Sequence, residues 1–235
     1  MRTYNATHKW LTFAIDLQRA SPALWMALGE AQSKCEHIAG VPLQPDRARQ
    51  MYQIYLEKGA LATTAIEGNT LSESEVQAHL AGTLELPESK QYLAQEIDNI
   101  VEACNDITND LLQRPNGEIG VNEIKSFNRM ALKKLPLERG VVPGEISDFS
   151  VTVGRYRGAP REDCDYLLDR LCTFLNDGFR PPAGQEIVYD ILRAVIAHLY
   201  LAWIHPFGDG NGRTARCWSS RFYWRPACRV RRRTC

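Results

Sequence analysis

The stretch HPFGDGNGRTAR, residues 205–216, lies between an apolar helical run ending at Ile204 and a second helix predicted to begin near Asn211 or Gly212. A proline disfavours the α region for the residue before it, so Pro206 should set His205 at the end of the first helix, facing the following loop. Gly208, Gly210 and Gly212 allow that loop to turn peptide N–H groups inward. Such groups at a helix N-terminus form a cradle for an anion, suited to a di- or triphosphate. Arg213 and Arg216, three apart, share a helical face and offer two guanidinium forks over the phosphates. Asp209 is a hard oxygen ligand for the magnesium that usually bridges nucleotide phosphates. His205 is the one side chain here whose ordinary pKa suits proton removal near neutrality. Together these parts suit in-line displacement at phosphorus by a hydroxyl that His205 deprotonates.

Upstream of this stretch the periodicity is helical almost throughout, and the fold class read from it is all-α. Helical spacing covers 185–204 and 161–176, and again 121–135, where Pro136 follows, and 87–113. Ser72 and Glu75 form a capping box ahead of Val76 and Leu80. Pro45-Asp46 opens a helix that Lys58-Gly59 should end, and Ser21-Pro22 opens one that Gly40 closes. Residues 140–160 break the pattern: they are rich in Gly and Pro around a β-prone SVTV run, and read as an extended hairpin or flap. In TTAIEGN, residues 63–69, Thr63 and Glu67 are four apart and Gly68 suits a helix C-cap. Glu67 then stands at the negative end of a helix dipole, disfavoured by about 0.3–1 kcal/mol, and gains most by meeting a cation.

The length of 235 residues suits one domain or two closely packed ones. Residues 1–216 carry 22 Lys and Arg against 28 Asp and Glu, net −6, while the last 19 residues carry six arginines and no acid. An acidic body argues against a general nucleic-acid binder. Cys35, Cys104, Cys164 and Cys172 show no zinc or disulfide pattern and read as isolated buried thiols of a reducing compartment, so a cytoplasmic location is expected. The first ten residues lack the apolar core of a secretory signal. The strongest apolar stretch, Ile191–Ile204, is interrupted by Arg193 and His198 and is shorter than the roughly 20 residues of a membrane span, so no membrane partner is expected.

HPFGDGNGRTAR resembles the signature of the Fic family, His-Pro-Phe-x-(Asp/Glu)-Gly-Asn-Gly-Arg-x-x-Arg, at every defined position. The resemblance implies a Fic helical bundle with a small β-hairpin flap at roughly 145–160, preceded by N-terminal helices. It implies transfer of AMP from Mg²⁺-bound ATP to a Ser, Thr or Tyr hydroxyl of a protein substrate. His205 would be the general base, Phe207 the structural anchor and Asp209 the magnesium ligand. Gly210, Asn211 and Gly212 would bind phosphates, with Arg213 and Arg216 on the outer ones; glycine at 212 favours adenylyl over other transfers. TTAIEGN resembles the family's inhibitory motif, (Ser/Thr)-x-x-x-Glu-(Gly/Asn), in its N-terminal placement, and so pairs Glu67 with Arg216 as a brake. The implied layout is an N-terminal helical region at 1–59, an inhibitory helix and connection at 60–86 and the Fic core at 87–216. Self-modification and a homo-oligomer stay open. So do two other readings: a de-AMPylating hydrolase in which Glu67 positions a water, and a catalytically dead nucleotide-binding fragment acting as an interaction module. After Arg216 the resemblance breaks off. CWSSRFYWRPACRVRRRTC, with Pro226 expected to interrupt any helix, reads as a non-native basic tail at 217–235 left by truncation or a frameshift, outside the core.

Overall fold

The computed structural model describes residues 2–114 and 117–233, with side chains through Arg225. Nine α-helices run through the described residues: α1 (Tyr4–Thr7), α2 (Pro22–Ala39), α3 (Pro45–Ala65), α4 (Glu73–Leu80), α5 (Gln91–Gln113), α6 (Val121–Ala131), α7 (Arg161–Thr173), α8 (Glu186–Ile204) and α9 (Asn211–Arg233). The one sheet among these residues is a hairpin of β1 (Thr152–Val153) and β2 (Tyr156–Arg157), with Val153 opposite Tyr156. The fold class is therefore the expected all-α bundle with a small β-hairpin.

Local chemistry explains most boundaries. The Ser21 hydroxyl accepts from Leu24 N at the start of α2. Ser72 and Glu75 close the full capping box of α4, each side chain bonding the other residue's backbone N–H. Helix α3 does not stop at Lys58-Gly59 but continues to Ala65. The glycine costs helix stability, but Ala60 and Thr64 bury the next two turns, and packing outweighs one glycine's propensity. The expected boundary at residue 59 thus falls inside a single helix. Helix α6 is shorter than its periodicity suggested, ending at Ala131.

Helix α9 is the hub, packing on α8, α5 and α6 and also touching α2 and α3. The tail expected to lie outside the core belongs instead to this helix, which passes Pro226 and ends at Arg233. Trp218 and Phe222 are 0% and 1% exposed and join the main apolar cluster with Cys217. Arg221, almost fully buried, is held by Asp110 of α5 at 2.6 Å and Glu123 of α6 at 3.2 Å. The side chains of Cys228, Cys235 and the last four arginines lie outside the described residues.

Helix α8, 19 residues with mean hydropathy 1.6, is long and apolar enough to cross a membrane by those measures alone. Here half of that length is buried within the bundle, and its Asp190 and Arg193 pair there at 3.2 Å. Of the cysteines expected to be buried, Cys164 and Cys172 are, Cys104 is partly so and Cys35 is exposed. Burial pushes the Cys164 and Cys172 thiols up to about 12, which makes them poor nucleophiles.

Candidate functional site

His205 caps α8 in the left-handed conformation, with φ 52° and ψ 57°. A residue with a side chain is strained there, by about 1–2 kcal/mol. The strain is offset by contacts on both sides. His205 N donates to Leu201 O, and the flap closes over the turn as Ala159 N donates to Ile204 O and Ser147 N to Pro206 O, all at 2.9 Å. The Tyr156 hydroxyl on β2 donates to Trp203 O at 2.5 Å. Gly158 permits this closure, because a Cβ there would stand 2.8 Å from the Cβ of His205. His205 Nδ1 lies 3.2 Å from Ala202 O. With the proton on Nδ1 donated to that carbonyl, Nε2 keeps its lone pair and can accept one. Burial lowers the His205 pKa below 6.5, opposed by the Ala202 carbonyl and the charge of Glu67.

The loop after His205 is fastened from inside. Phe207 is 1% exposed, and its backbone is clamped by the Asn211 side chain, which accepts from Phe207 N at 3.0 Å and donates to Phe207 O at 2.6 Å. The Asn211 amide, expected among the phosphate binders, therefore shapes the loop, and Asn211 can meet an anion only through its backbone N–H. Gly210, at φ 73°, makes the turn into α9. Asn128 of α6 ties the loop to the flap: its amide donates to Asp209 O at 2.9 Å and Thr214 Oγ1 at 3.1 Å, and its oxygen accepts from Gly144 N at 2.8 Å.

Both signature arginines meet carboxylates. Arg213, 5% exposed, donates to Glu96 of α5 at 2.7 Å and to Asp209 at 3.2 Å. Arg216 donates to Thr63 O at 3.2 Å and to the Glu67 carboxylate, which reaches it from just past the end of α3. Gly68, at φ 96°, turns the chain after Glu67. The same carboxylate lies against the first turn of α9, where a Cβ on Gly212 would stand 2.5 Å from Glu67 Oε1. Glu67 thus rests where the exposed N–H groups and dipole of α9 favour an anion.

These residues fit a nucleotide and one metal ion. Arg213 Nε and Arg216 Nε are buried without a hydrogen-bond partner, and the first turn of α9 has backbone donors to offer. Among the described residues no group of three His, Cys, Asp or Glu side chains converges. The partly exposed Asp209 carboxylate would supply one ligand, a donor set suited to magnesium completed by phosphate oxygens and water.

His205, Phe207, Asp209, Gly210, Asn211, Gly212, Arg213, Arg216 and Glu67 are thus brought together at the junction of α8, α9 and the end of α3. Glu96, Asn128 and Gly158 were not singled out from the sequence. A signal existed for two of them: Glu96 falls between Leu93, Ile97 and Ile100 on the buried stripe of α5, and Asn128 between Ile124, Phe127 and Ala131 on that of α6. A polar residue on a core-facing stripe needs a partner.

Residues 118–223 match the model of the Fic/DOC family. The chain is 32% identical over 169 residues to the protein adenylyltransferase fic-1 of Caenorhabditis elegans, covering 72% of this chain and 31% of that protein. It is 30% identical over 155 residues to a protein adenylyltransferase Fic of Nematostella vectensis, covering 66% of this chain and 34% of that one. It therefore spans about a third of the length of these curated relatives. A solved structure of Fic-1 from C. elegans superposes with a TM-score of 0.69 at 26% identity, over 87% of this chain and 58% of that one. A Fic family protein from Desulfovibrio desulfuricans superposes at 0.62 over the same shares; at 21% identity the likeness concerns the fold alone.

Proposed function

Because residues 118–223 are a Fic domain of the Fic/DOC family, we propose that this chain transfers AMP from ATP to a protein hydroxyl and that Glu67 restrains the transfer. The observation that carries this reading is the seat of the Glu67 carboxylate. It lies on Arg216 and against Gly212, on the anion-favouring end of α9 beside His205. A phosphate there would meet the same donors, so carboxylate and nucleotide compete for one fork.

His205 Nε2 takes the proton of the target hydroxyl as its oxygen attacks the α-phosphorus; the new O–P bond forms while the bond to the β-phosphate oxygen breaks and pyrophosphate leaves. Arg213, Arg216 and the first-turn N–H groups of α9 hold the outer phosphates, so charge building on the leaving group is met by fixed donors. Asp209 would hold magnesium, which when bound neutralises phosphate charge. The flap edge at Thr152–Val153 offers backbone groups for an extended target segment to pair with.

The test is to incubate the chain and its Glu67→Gly variant with Mg²⁺ and ATP labelled on the α-phosphate. Label should appear on the variant's own protein and be much weaker on the parent. Absence of protein-bound label from both, at saturating ATP and with the fold intact by circular dichroism, would refute the transferase reading.

A further inference from the structure

Glu96 holds two groups at once. Its residue is 9% exposed, in the buried stripe of α5. Oε1 accepts from Arg213 Nη1 at 2.7 Å, and Oε2 accepts from Asn69 Nδ2 at 2.9 Å. Asn69, 6% exposed, has no freedom to turn over: Nδ2 also donates to Leu93 O at 2.8 Å, and Oδ1 accepts from Leu71 N at 3.0 Å. Asn69 lies in the same turn as Glu67, and the backbone N–H groups of both donate to Thr64 O, at 3.1 and 3.0 Å. One buried carboxylate therefore joins the signature arginine Arg213 to the turn that carries Glu67.

We propose that Glu96 is a positioning residue with two effects, an inference that rests on the transferase reading above. Through Oε1 it keeps Arg213 aimed at the outer phosphates. Through Oε2 and Asn69 it latches the Glu67 turn in register with Arg216. Without Glu96, Arg213 has a second carboxylate within reach, Asp209 at 3.2 Å. A guanidinium drawn onto Asp209 would leave the phosphates and also burden the proposed magnesium ligand. Without the Asn69 amide, the backbone bonds to Thr64 O remain, but among the described residues no other hydrogen bond ties the turn to α5, and a turn so held frays more readily.

The two effects are separable by experiment. For the first, Mg²⁺-ATP affinity is measured by calorimetry in the Glu67→Gly chain, which needs no turnover. Glu96→Ala should weaken it by about tenfold, the value of one charge-assisted hydrogen bond. Glu96→Gln, whose carbonyl still reaches Arg213, should recover most of that loss. In the Arg213→Ala background, Glu96→Ala should cost nothing more, as expected of residues acting through one group. For the second, Asn69→Ala should raise self-labelling severalfold in the parent chain and add nothing in the Glu67→Gly chain. Melting temperatures are recorded throughout; should Glu96→Ala fail to fold, Glu96→Ser, too short to reach Arg213, takes its place in the calorimetry, and Asn69→Ala still decides the second effect. Unchanged ATP affinity in Glu96→Ala, or additive losses with Arg213→Ala, would overturn the first effect. Asn69→Ala that leaves the parent silent, or stimulates equally without Glu67, would overturn the second. If Glu67→Gly itself gains no label, the brake fails, whereas the calorimetric cycle still reports on Glu96 and Arg213.

Discussion

At the scale of single residues, the proposed chemistry turns on His205 and Glu67. A histidine acts as a base only when neutral, which holds above its own pKa. Burial lowers the His205 pKa, so transfer by the Glu67→Gly chain should persist to lower pH than an ordinary histidine allows. The acid limb of its pH–rate profile is expected below 6.5; a limb at or above 6.5 would mean that burial does not govern the base. His205→Ala should abolish transfer while leaving ATP affinity nearly intact, since Nε2 removes a proton and holds no phosphate. The pair Glu67 and Arg216 makes a different prediction. Glu67→Gly should raise self-labelling, Arg216→Ala should not, and the double variant should match Arg216→Ala alone, because Arg216 serves both brake and phosphate. A double variant as active as Glu67→Gly would show that Arg216 holds no phosphate.

At the scale of elements, α9 combines two roles often kept apart. Its first turn and a half supplies the proposed anion cradle and both arginines, and its next two turns fill the centre of the bundle. The arginines are aimed only because the helix beneath them is fixed, so losses in its second half reach the site. Trp218→Ala removes the largest fully buried side chain and should cost about 3–5 kcal/mol. Ending the chain after Arg216 should leave a product without a cooperative thermal transition. Retention of the parent melting temperature on that truncation would show that the segment packs only loosely. The flap is the contrasting element. Its two strands are two residues each, and it is placed by bonds from its flanks and from Tyr156 of β2 to the backbone of 203–206.

At the scale of the whole molecule, charge pairing acts beside apolar burial in the least expected feature, the seating of the arginine-rich end of the chain. The body carries an excess of six acids, and the last 19 residues an equal excess of arginines. The two meet inside the fold, where Arg221 reaches Asp110 and Glu123 from different helices, and Arg225 donates to Gly117 O at 3.3 Å. Removing Arg221 leaves the largely buried Glu123 without that partner, while Asp110 keeps Arg114. Arg221→Ala should therefore lower stability by about 3–5 kcal/mol, read as a shift in the urea midpoint. A midpoint within error of the parent would mean that water already reaches Asp110 and Glu123.

Several features could be read from short windows of the chain. Helical periodicity, the Ser21 and Ser72 caps, the hairpin at 140–160 and the turn of His205 before Pro206 all depend on residues within a few positions of one another. So does the sharing of one helical face by Arg213 and Arg216. The same local reading stopped α3 at Gly59 and set 217–235 outside the core, because a glycine or an arginine-rich run looks unfavourable until its partners are known. Those partners are distant: Arg221 meets Asp110 of α5 and Glu123 of α6, and in the site itself Glu67 meets Arg216 across 149 positions and Glu96 meets Arg213 across 117. Burying a charge is costly unless an opposite charge awaits it, and only the packing of α3, α5 and α6 around α9 brings those charges together. The local turn of the loop and the spacing of its arginines were thus determined by its own twelve residues, and the carboxylates and helices that pack around it were decided by the tertiary structure.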